Sequence, residues 1–127
     1  MKMSIKKGQL LRIKKSWLEH NNVESFTFLV AEHGIPKNSK DLDYFLEKDL
    51  EYSAYQPDSA FRLVTNVTHN DILMYLGSIT LDVRYKNLGK HEYYFFLLAD
   101  QVIYCSFNCE YSHYDEKLNK YMEIANE

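Results

Sequence analysis

The residue types that usually carry chemistry are sparse and irregularly spaced in this chain. Cys105 and Cys109 are the only cysteines. In an extended segment their Cα atoms stand about 13 Å apart, beyond the reach of a disulfide. They therefore read as reduced thiols and place the protein in the cytoplasm; without the C-x-x-C spacing or a nearby histidine pair they do not read as a zinc site. The five histidines, His20, His33, His69, His91 and His113, share no metal-ligand spacing and fall mostly in turn-like stretches, where the ordinary reading is a surface loop side chain. The four glycines are isolated, which leaves no phosphate-cradling loop and no nucleophile elbow. Carboxylates sit beside lysines, as in Glu47-Lys48 and Glu116-Lys117, the pattern of a solvated helix face. No catalytic pair, metal site or cofactor site can be assembled from these residues, and the expectation is a protein that is not an enzyme.

Tyrosine is the residue that stands out, with eleven copies. It offers a large contact area and a polar tip at low entropy cost, so it is enriched where proteins meet; it also suits strands and core rims. The cluster from Glu92 to Phe107 points to an interface if one sheet face there lies open, because a contiguous exposed apolar face normally meets a partner. The candidate partner-binding residues are Tyr93, Tyr94, Tyr104 and Tyr111, with the acids Asp82, Glu92 and Glu110 around them. Charge supports a protein partner. Residues 1–15 carry Lys2, Lys6, Lys7, Arg12, Lys14 and Lys15 and no acid, whereas all 18 acids and the other basic residues lie beyond, giving −3 overall. An acidic body lacks the basic footprint of a nucleic-acid binder and suits a basic protein.

The elements that must hold these residues follow from periodicity. The chain has 127 residues, of which 46% are hydrophobic, enough for one domain over 1–127 and its core. No apolar run is long enough to span a membrane. Gly8–Lys14 is a short strand candidate, and Ser16–Asn22 reads as a connection. Val23–Ala31 alternates, with Phe26, Phe28 and Val30 on one face. Asn38-Ser39-Lys40-Asp41 looks like a capped helix start, followed by Leu42, Phe45, Leu46 and Leu50 at helical spacing and stopped before Pro57. Phe61–Val67, Ile72–Leu76, Ser78–Tyr85, Glu92–Leu98 and Val102–Phe107 read as strands, the clearest placing Ile79, Leu81, Val83 and Tyr85 on one face. Ser112 caps a closing helix with Tyr114, Leu118, Tyr121, Met122 and Ala125 as its apolar stripe. The class is α+β: an antiparallel sheet of about six or seven strands with two helices, in the order β-β-α-β-β-β-β-β-α.

Several of these segments together resemble the DcrB-like domain of the PsbP-like fold: Lys7-Gly8-Gln9-Leu10, Trp17 and Val23–Phe28 at the start; Lys40–Leu50 and Phe61-Arg62-Leu63; Gly77, Ile79–Tyr85, Gly89 and Tyr93–Leu97; then Val102–Phe107 with Tyr114 at the end. The resemblance spans nearly the whole chain. It implies one of two roles. Eag-type proteins are dimeric type VI secretion chaperones that hold hydrophobic N-terminal effector segments against a concave sheet. Small domains of this size also act as immunity proteins that block Rhs-type polymorphic toxins. The chaperones meet their client with amide side chains, whereas the matching hairpin here carries Glu92, Tyr93 and Tyr94 and no glutamine, which favours the immunity role. That role implies steric blocking of a secreted antibacterial toxin domain; the chaperone role implies a homodimer with an apolar concave face.

Overall fold

A computed structural model describes residues 5–32, 34–45, 64–83, 89–108 and 117–125. Seven strands form one sheet: β1 (Leu10–Ile13), β2 (Phe26–Val30), β3 (Val64–Val67), β4 (Leu73–Val83), β5 (Gly89–Leu98), β6 (Gln101–Asn108) and β7 (Met122–Ile124). Their order is β3-β2-β6-β5-β4-β1-β7, and every pairing is antiparallel. Helix α1 covers Lys15–His20, a helical stretch α2 covers 39–45, and α3 covers Lys117–Tyr121. The expected α+β class and antiparallel sheet are present.

The sheet curls. Phe26 lies in β2, next to one edge strand, and Tyr121 immediately precedes the opposite edge strand, yet their ring centroids are 5.8 Å apart. Trp17 of α1 lies against both, at 5.2 and 5.1 Å. The inner face therefore encloses a core in which Leu11, Ile13, Phe28, Val67, Leu73, Phe96 and Ile103 are fully buried. Removing each such side chain from water is worth roughly 1.5–3 kcal/mol, and this set holds the strands together. A smaller cluster lies on the outer face, where Leu42 of α2 packs with Leu81, Tyr93 and Phe95. Phe26, Phe28 and Val30 share the inner cluster, as their alternation predicts.

The cap expected at Asn38 forms. Its Oδ1 accepts from the Asp41 backbone N–H at 2.8 Å, and the Asp41 carboxylate accepts from Lys37 N–H at 3.0 Å, so α2 starts with orphan donors satisfied. Three expectations change. Ser16–Asn22 is not a bare connection: Leu18 is buried and Trp17 packs inward, so the segment coils as α1. It ends at Asn22, whose φ of 54° is left-handed, with Val23 N–H bonded to Leu18 O, the Schellman stop. The closing helix does not run to Ala125. Met122–Ile124 leaves it as β7, which pairs Ile13 with Met122 and Leu11 with Ile124. The same apolar residues satisfy both periods, and strand pairing gives the outer edge of β1 its hydrogen bonds. The expected start of that helix at Ser112 lies outside the described residues.

Ile72–Leu76 and Ser78–Tyr85 are not two strands. Over the described residues they are one strand, β4, with a bulge between Tyr75 and Gly77. Gly77 has φ +118°, and a Cβ there meets Lys7 Cε at 2.6 Å. The lysine tip can swing away, so the backbone conformation decides the cost. Gly77→Ala is expected to lower stability by about 1–3 kcal/mol, read from the urea midpoint.

Candidate functional site

The alternation of β5 divides the sequence-predicted contact residues between opposite faces. Tyr93 and Phe95 point outward; Glu92, Tyr94 and Phe96 point inward. Tyr93 and Tyr94 are 6% and 9% exposed, so neither offers the open ring that the sequence suggests. Tyr93 stands against Phe95 and Tyr104, with centroids 6.5 and 5.9 Å away. Tyr104 is half-buried. Asp82 is exposed on the Glu92 side of the β4–β5 ribbon, and its backbone N–H donates to Ser39 Oγ at 3.2 Å. Tyr111 and Glu110 lie outside the described residues. Tyr93 and Tyr104 thus come together, as do Tyr94 and Glu92, but the two pairs are separated by the sheet. Tyr94 and Tyr93 belong to two cores, one on each sheet face, that the chain closes with its own segments.

The Tyr94 hydroxyl donates to Glu92 Oε1, a contact across i and i+2 of one strand face. Burial, then the bond to Glu92 and its charge, push the Tyr94 phenol well above its ordinary 10.0. Tyr75 is raised chiefly by burial as well, with Ser78 acting against the shift. The folded state therefore keeps both protons where an unfolded tyrosine loses its own. This contribution is whole below pH 10 and is lost above it, as the unfolded chain ionises. Tyr94→Phe is expected to flatten the fall in stability above pH 10, measured by urea unfolding between pH 8 and 11.

Exposed apolar side chains lie elsewhere, singly at Val23, Ile35 and Tyr44 and together in a row across the sheet. Leu10 pairs with Met74, Met74 with Leu97, and Leu97 with Val102. Direct cross-strand partners project from the same face, so these four residues form a row across β1, β4, β5 and β6. It runs on the outer face from Val102, which packs on the second cluster, to an open end. There Leu10 is 39%, Met74 36% and Ile72, just before β4, 44% exposed. Ile72-Leu73-Met74 and Leu10-Leu11 were the signal available in sequence: successive apolar residues in a strand supply both faces, and only one of those faces is needed by the inner core.

Among the described residues no group of three or more histidine, cysteine, aspartate or glutamate side chains could hold a metal ion, and no helix is long and apolar enough to cross a membrane. No protein-family model matches the chain, and neither a curated protein nor a solved structure does.

Proposed function

We propose that this chain is a protein-binding inhibitor of the immunity type, which docks a secreted antibacterial toxin domain in the cytoplasm and blocks it sterically. The observation that carries this reading is the outer-face row, where Leu10, Ile72 and Met74 present apolar surface at one corner of a sheet whose inner face is already filled. A contiguous apolar corner supports a partner site where it forms part of a larger surface. The resemblance to the DcrB-like domain supports a binding role and supplies the toxin-blocking context. The chaperone alternative needs an open concave apolar face. Here the inner face is occupied by Phe28, Tyr75, Phe96 and Ile103, which favours the inhibitor.

The row forms only the centre of a full interface of about 1,600 Å². Met74→Glu is expected to weaken toxin binding by about 2 kcal/mol, roughly thirtyfold, if Met74 is an anchor, while stability stays within about 1 kcal/mol because the side chain is already part-exposed. The test is co-expression with each toxin domain found encoded in the gene's neighbourhood. The native chain restores growth and Met74→Glu does not. Failure of the native chain to protect would reject the reading.

A further inference from the structure

We propose that the segment of the partner seated on this row is acidic: a short stretch with apolar anchors for Leu10, Ile72 and Met74, flanked by aspartate or glutamate. The proposal rests on the reading of the row as a docking surface. The row's exposed corner is built by β1, which falls inside the one stretch of the chain, residues 1–15, that holds six basic residues and no acid. Gly8 N–H donates to Tyr75 O at 2.8 Å and Tyr75 N–H donates to Gln9 O at 2.9 Å, which pins the turn carrying Lys6 and Lys7 beside Tyr75 and Gly77, one step along β4 from Met74, with the Lys7 side chain over Gly77. Both lysines are exposed. Past Leu10, Arg12 lies on the same strand face and pairs with Glu123 at 2.8 Å, and Lys14 and Lys15 follow. Because Glu123 meets the Arg12 charge and Lys14 Nζ donates to Asn119 O, the cationic flank of the apolar corner is Lys6 and Lys7, just before Leu10.

That arrangement disfavours other occupants. A second copy across a two-fold axis brings basic flank against basic flank. An extended anionic bilayer meets the acidic remainder of the chain as well as this corner. Screening confines the field of exposed charges to about 8–10 Å at physiological salt, so a short acidic segment feels the β1 corner and little of the body.

Two acetylated decapeptides test this, one of leucine and glutamate and one of leucine and lysine at the same amphipathic spacing, titrated into the labelled full chain and followed by amide chemical shifts. The expected result is that the glutamate peptide perturbs Leu10, Met74 and Leu97, binds at least tenfold more tightly than the lysine peptide, and weakens at least threefold in 0.5 M salt. The double variant Lys6→Glu, Lys7→Glu is expected to reverse the order of the peptides. Equal binding of both at the row, insensitive to salt, overturns the acidic preference and leaves the docking surface standing. No perturbation of the row by either peptide overturns the preference and removes support for the docking surface too. Binding of phosphatidylserine vesicles through the row, or self-association abolished by Met74→Glu, also overturns the proposal.

Discussion

Replacing Phe96 by alanine is expected to cost about 3–5 kcal/mol, the largest effect of any single substitution considered. Phe96 is fully buried in the central strand of the sheet. Its ring meets Phe28 edge-on at 5.5 Å and Tyr75 at 5.6 Å, so it joins β2, β4 and β5 through one side chain. Packed interiors relax only partly around a void, and a small domain has a total stability of about 5–15 kcal/mol. Urea denaturation is expected to show a midpoint shifted by a large fraction of its native value. A change below about 1 kcal/mol would mean that the curled inner core is not packed as described.

Tyr93→Ala follows, at about 3 kcal/mol, and it separates two roles for the same residue. In the structure Tyr93 belongs to the outer cluster with Leu42, Leu81 and Phe95. Truncation removes the platform under α2, and the expected readout is a lower unfolding midpoint with loss of near-ultraviolet ellipticity. Unchanged stability with a fall in partner affinity would instead return Tyr93 to an interface.

Much of the scaffold can be read from pattern because alternate residues of a strand serve opposite faces and each core claims one of them. Phe26, Phe28 and Val30 declare their side by alternation, and Ile79 and Leu81 declare theirs. Asn38 and Asp41 announce the start of α2 because short polar side chains at that spacing meet the orphan donors of a first turn. Pattern fails where one set of residues satisfies two periods. Leu118, Tyr121 and Met122 fit a helical stripe, yet Met122 serves β7, and only the presence of β1 alongside decides between them. It fails again at Trp17 and Leu18, where six residues are too few for a period to emerge. The candidate site was legible only as a kind of residue. Tyrosine-rich strands suggested exposed rings, but a sheet with cores on both faces uses Tyr93 and Tyr94 internally. The open end of the outer-face row falls to Leu10, Ile72 and Met74, whose exposure depends on how far the covering elements reach, a tertiary fact that no local pattern encodes.

The central claim is that the outer-face corner of β1 and β4 is where this chain meets its partner. Hydrogen exchange of the chain alone and in the presence of the partner protein that the proposed function calls for tests it directly. New protection is expected at Leu10, Ile72–Met74 and Leu97. Protection confined to Thr80, Asp82 and Glu92 at the far end of the β4–β5 ribbon would contradict it.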